Sequence, residues 1–89
     1  MHTKRLRYVR SIYPEHIKTA VLEYYLLVDT AAAQTHYGVS IRLICPEYVE
    51  EKSIRRITTS RRTIEQMLLA MAQGTVTPVS MRDIVEDML

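Results

Sequence analysis

Two hydrophobic rhythms divide this chain, an alternation suited to strands up to about residue 59 and a helical spacing from Ser60 onward. Tyr37 to Cys45 is the cleanest alternating segment. Tyr37, Val39, Ile41, Leu43 and Cys45 share one parity, while Gly38, Ser40 and Arg42 share the other. That predicts a half-buried strand with its odd-numbered face inward, ended by Pro46. Leu6 to Ile12 alternates more weakly, with Leu6, Tyr8, Arg10 and Ile12 against Arg7, Val9 and Ser11. It reads as a charged edge strand, or else as a basic arm spanning residues 1–13. Ser53 to Thr59 reads as a further short strand, and the Ile54–Ile57 spacing predicts a bulge within it.

Residues 14–28 fit two patterns. Ile17, Ala20, Val21, Tyr24 and Val28 follow helical spacing, and Pro14 suits a helix start. Yet Val21 to Val28 is apolar on both parities and rich in β-formers, as a central strand should be. The reading adopted is a strand from about Ala20 to Asp29. Tyr13 to His16 is then a turn, Thr30 to Gln34 an alanine-rich connecting loop, and Glu47 to Lys52 a polar connection. Adjacent strands joined so briefly pair as antiparallel hairpins.

From Ser60 the pattern changes. Ser60 is a good N-cap, and Ile64, Met67, Leu68 and Met71 form the stripe of an amphipathic helix that Gly74 stops. Beyond Pro78, Ser80 is placed to cap a second helix with Asp83 at the capping-box position. Met81, Ile84, Val85, Met88 and Leu89 make its apolar face. Both helices carry charge against their dipoles, with Arg61 and Arg62 opening the first and Glu86 and Asp87 closing the second. Folded back as a hairpin, each would supply the other's countercharge.

The predicted fold is a single α+β domain over residues 1–89, an antiparallel sheet of three to four strands packed against a C-terminal helical hairpin. Its predicted core is Leu22, Tyr24, Leu26, Val39, Ile41, Leu43, Ile64, Met67, Leu68, Met71, Ile84, Val85 and Met88. A composition of 47% hydrophobic and 25% charged residues is that of an ordinary globular domain, and 89 residues hold one modest core. The lone cysteine, Cys45, has no internal disulfide partner and reads as a reduced, small apolar side chain. No apolar run is long enough to span a membrane, and no hydrophobic leader follows the charged start, so the expected location is the cytoplasm.

The net charge of +2 conceals an asymmetry. Lys4, Arg5, Arg7, Arg10 and Lys18 dominate the first segment, and Lys52, Arg55, Arg56, Arg61 and Arg62 follow in the middle. The acids Glu65, Asp83, Glu86 and Asp87 gather at the end. Basic residues interleaved with tyrosine make Lys4, Arg5, Arg7, Tyr8, Arg10 and Tyr13 the candidate interaction surface. Arginine can hold phosphates while tyrosine stacks on a base. The plainer reading is an edge strand solvated by its charges.

No constellation specifies a reaction. His2, His36 and His16 are scattered, without metal-ligand spacing. His36 and Cys45 have opposite parity on one strand, which excludes a Cys–His pair within it. Asp83, Glu86 and Asp87 look like a solvated helix face, and two glycines do not make a phosphate loop. No cofactor, metal or enzymatic activity is therefore expected.

The run Val76-Thr77-Pro78-Val79-Ser80-Met81-Arg82-Asp83-Ile84-Val85-Glu86-Asp87-Met88-Leu89 resembles the ending of a family of short clostridial proteins of unknown function. Met81 and Met88 depart from its motif by apolar replacement, and Ser60 stands where that family often caps with Asp. Tyr24 to Leu27, Tyr37 to Ile41 and Ser53 to Ser60 resemble its strand segments. The resemblance spans roughly Leu22 to Leu89, leaves residues 1–20 outside and implies no activity. The expected role is a small non-enzymatic, regulatory or protein-interaction module whose partner is another protein or itself, as a homodimer. Nucleic-acid binding through the basic N-terminal segment is the alternative, and no membrane contact is expected.

Overall fold

The computed structural model describes residues 2–13, 19–31 and 33–89, and in them the chain forms four strands followed by two helices. The strands are β1 (His2–Ile12), β2 (Ala20–Ala31), β3 (Gln34–Ile44) and β4 (Val49–Thr58). They pair in sequence order, each antiparallel to the next, so β1 and β4 are the sheet edges. Helix α1 (Arg61–Gln73) and, after a 3₁₀ turn over Pro78–Ser80, helix α2 (Met81–Met88) complete the α+β fold. Residues 20–28 are strand, as their two-sided apolar run requires. Pro14 to His16 of the expected turn, the following Ile17 and Lys18, and Ala32 of the expected loop lie outside the described residues.

Both helices cover one face of the sheet. Leu22, Tyr24 and Leu26 of β2 and Val39 and Ile41 of β3 are buried there with Ile64, Met67, Leu68, Met71, Ala72, Met81 and Val85. Leu43 and Ile84 flank this core half-buried, and Met88 remains 40% exposed. The short α2 turns Met81 and Val85 inward, and its last turn rises over α1 beside Thr63, Gln66, Met67 and Ala70. That geometry leaves Glu86 and Asp87 in solvent. The expected pairing of Arg61 or Arg62 with Glu86, Asp87 or the Leu89 carboxylate is not found among the ion pairs of the described residues. Arg61 instead reaches Glu65 one turn along α1, Nε to Oε2 at 3.3 Å, an i,i+4 pair available at lower entropic cost.

Several local expectations shift. The Thr30–Gln34 loop contracts, because β2 and β3 stay paired out to Ala31 and Gln34. Strand β4 begins at Val49, not Ser53, since Val49, Glu50, Glu51 and Lys52 pair with Ile44, Leu43, Arg42 and Ile41. An edge strand tolerates those charges. Between Ile54 and Thr58 the register shifts, where the Ile54–Ile57 spacing predicts a bulge, and Arg56 takes a φ of 56°. A second register shift lies between Leu6 and Tyr8 on β1. It reverses the alternation, so Leu6 and Tyr8 occupy opposite faces: Leu6 lies opposite Tyr25, and Tyr8 opposite Tyr24 in the core.

Ser60 caps α1 by accepting a hydrogen bond from the Thr63 N–H at 3.1 Å. At the other end the left-handed residue is Thr75, with φ 48°, and not Gly74, whose φ is −86°. The Val76 N–H bonds the Met71 carbonyl and the Thr75 N–H the Ala72 carbonyl, which is the Schellman pattern. Ser80 makes no side-chain cap, because the 3₁₀ turn runs straight into α2.

The other sheet face is concave. Leu27 is 5% exposed and Ser40 fully buried, although no helix covers them. In a flat sheet the backbones of Lys4 and Glu51 would be about 20 Å apart, across three strand spacings and four residues of register. Their charged ends are 2.6 Å apart. The sheet is curled until its two edges meet over Leu27 and Ser40, as right-handed twist and two bulges together allow. Gly38 sits under the bulge of β4, where a Cβ would collide with the Ile54 carbonyl and stand 2.9 Å from the Arg55 Cα. Only glycine permits that approach.

Candidate interaction surface

The six residues singled out by the sequence do not form one surface. Cross-strand partners share a face, so the register assigns each of them. Lys4 lies opposite Leu27 on the concave face, where its Nζ donates to Glu51 Oε2 and sits 4.3 Å from the centre of the Tyr25 ring. Arg7 is the extra residue at the β1 register shift, and its guanidinium reaches α1, 3.0 Å from Glu65 Oε2. Tyr8 packs half-buried against the core. Arg5 and Arg10 lie opposite Leu26 and Leu22 at the helix-side margin, both exposed. Tyr13, just past the strand, is 77% exposed.

Their electrostatic roles differ accordingly. Glu65 Oε2 serves both Arg7 and Arg61, tying the edge strand to the first turn of α1. The Arg61 guanidinium also lies 5.8 Å from the Tyr37 ring. These pairs are partly exposed, and each is worth no more than about 1 kcal/mol. Arg10 acts on Tyr24 through space, favouring its phenolate, but burial dominates and raises that phenol to about 12. The Tyr24 hydroxyl donates to the Val76 carbonyl at 2.9 Å. Arg5 and Arg10 are thus the cations of this segment that make no ion pair within 4 Å among the described residues.

At one end of the concave face, the register lines up residues that the sequence reading left scattered. His2, Asp29 and His36 stand side by side on β1, β2 and β3. Asp29 is buried; His2 Nδ1 is 3.5 Å from its Oδ1, and Arg56 Nε is 3.8 Å from its Oδ2. Arg55 donates to His2 Nδ1 at 3.3 Å. Asp29 Oδ1 and His36 Nδ1 are buried without a hydrogen-bond partner. Individually these residues carry no motif, and only the pairing register joins them. The signal available in sequence was Asp29 itself, a charge following the apolar run Tyr24 to Val28 of the central strand.

Elsewhere, Cys45 is a free buried thiol, and a hydrogen bond to it raises the neighbouring Tyr48 phenol. Asp83, Glu86 and Asp87 are exposed. Among the described residues no group of three or more His, Cys, Asp or Glu could hold a metal ion, and no helix is long and apolar enough to cross a membrane.

A family model described as a family of unknown function (DUF6514) matches residues 3–89. The chain belongs to that family. The match takes in β1, so the basic N-terminal strand is part of the family domain, where the resemblance read from the sequence left residues 1–20 outside. Comparison with curated proteins and with solved structures gives no match.

Proposed function

We propose that this protein is a small non-enzymatic interaction module of the cytoplasm, regulatory in role, which receives an extended, acidic segment of a protein partner along β1. The observation that carries this reading is the edge of β1, whose main chain pairs with β2 alone although its Lys4 side chain bridges to Glu51 on β4. The eleven residues of β1 include no acidic residue. Leu6 and Val9 are 49% and 53% exposed there. A strand added to a sheet edge gains main-chain hydrogen bonds and places alternate side chains on each face. Like charges on β1 oppose pairing with a second copy of itself, whereas an acidic strand turns the same charges into attraction.

Nucleic-acid binding is the second reading, supported by the uncompensated Arg5 and Arg10 beside the exposed Tyr13. One experiment separates the two. The tagged protein and an Arg5→Glu/Arg10→Glu variant are used to capture partners from lysate with and without nuclease, and the complex is mapped by amide exchange. A nuclease-resistant protein partner that protects β1 amides and is lost on charge reversal supports the docking edge. Capture that disappears with nuclease overturns it in favour of nucleic acid.

A further inference from the structure

We propose that the end of the concave face around Arg56 and His36 binds a small phosphate-type oxyanion. A shallow hollow opens there, lined by Ala31, Ala33, Gln34, His36 and Arg56. Its polar lining is an amide and an imidazole from β3 and a guanidinium from β4, three groups able to donate hydrogen bonds. The β4 bulge holds Arg56 in a left-handed conformation, with φ 56°, that is strained for a non-glycine residue. Such strain persists where surrounding structure enforces it, and it concentrates at ligand sites.

Charge and geometry agree with this occupant. Asp29 Oδ2 approaches the Nε of Arg56 at 3.8 Å, beyond hydrogen-bond range, and the arginine side chain stays 56% exposed. The terminal amines therefore remain for a ligand, and a guanidinium fork matches two oxygens of a phosphate. His36 lies directly opposite Asp29, and both residues have a buried atom unpaired, Nδ1 and Oδ1. With both ring nitrogens protonated, Nδ1–H turned to Asp29 would orient the ring and Nε2–H would donate to the ligand. Arg55 and Arg56 outnumber the single carboxylate of Asp29, so the cluster keeps positive charge for an anion.

This site is separate from the β1 edge and is tested separately. The full chain, labelled with ¹⁵N, is titrated with inorganic phosphate and with phenyl phosphate at constant ionic strength. Saturable shifts of the Gln34, His36 and Arg56 amides are expected with both. Arg56→Gln and His36→Gln should each weaken binding at least tenfold, and Arg62→Gln and Arg5→Glu/Arg10→Glu should leave it unchanged. Melting curves establish that each variant is folded, and His36→Gln stands alone if Arg56→Gln is not. Shifts that rise linearly without saturation, or an equal loss with Arg62→Gln, would show diffuse charge attraction and overturn the proposal.

Discussion

Lys4 and Glu51 hold the two edges of one sheet together, Nζ to Oε2 at 2.6 Å, although β2 and β3 lie between them. Both side chains are more than a third exposed, so the pair itself contributes at most about 1 kcal/mol. Its value lies in reporting the curl. A double-mutant cycle with Lys4→Ala and Glu51→Ala should give a coupling of about 0.2–1 kcal/mol at low salt, fading at high salt. Strictly additive losses at low salt would mean the edges do not meet.

The bulge above Gly38 is the backbone side of the same curl. Gly38→Ala places a methyl group into the Ile54 carbonyl, where backbone and not a flexible side chain must move. The expected loss exceeds about 3 kcal/mol, among the larger effects of single substitutions. A variant melting within a few degrees of the parent would show that β4 does not cross over Gly38.

What the sequence made legible was whatever local periodicity controls. Strand β3 is inward at Val39 and Ile41, β2 is apolar on both parities, and α1 buries Ile64, Met67, Leu68 and Met71, all as the spacing requires. The curl was not legible, because the Lys4–Glu51 contact depends on twist accumulated over four strands. Nor was the change of face between Leu6 and Tyr8, since one inserted residue reverses parity without altering composition. The same reason hid the His2–Asp29–His36 row, which exists only once two registers are fixed. It also split the candidate surface, sending Lys4 to one face and Arg7 to Glu65.

Core truncations test the helix-side packing. Ile41 and Leu68 are fully buried in one cluster from β3 and α1. Ile41→Ala and Leu68→Ala should each cost about 2–5 kcal/mol, by lost transfer energy and the cavity left behind. Against a stability of about 5–15 kcal/mol that is a severe loss, readable as a fall in the urea midpoint. An unchanged midpoint for either variant would contradict the placement of that face.

Thr75 offers the opposite outcome. It is β-branched and held at φ 48° in the position of the Schellman turn that glycine ordinarily fills. Thr75→Gly relieves about 1–2 kcal/mol of strain and returns part of it as unfolded-state entropy. The expected net effect is a gain of up to about 1 kcal/mol, measured as a raised melting temperature. A destabilisation larger than that would mean the Thr75 hydroxyl, which donates to the Gly74 carbonyl at 2.8 Å, outweighs the strain.

Tyr24 links the central strand to that same turn through its hydrogen bond to the Val76 carbonyl. Burial is the larger influence on its phenol and raises it to about 12 from an ordinary 10, with Arg10 acting in the opposite sense. The folded state therefore keeps this proton at a pH where the unfolded chain has released it. The stability contributed is fully present below pH 10 and is lost as pH rises toward 12. Tyr24→Phe removes the titrating group and the hydrogen bond together. It should cost about 0.5–1.5 kcal/mol at neutral pH, and the stability difference from the parent should shrink through the alkaline window. Urea unfolding of both proteins at pH 7, 9 and 11 checks this. A gap that stays constant across the series would show that Tyr24 ionises alike in the folded and unfolded chains, and that its hydroxyl is not sealed beneath Val76.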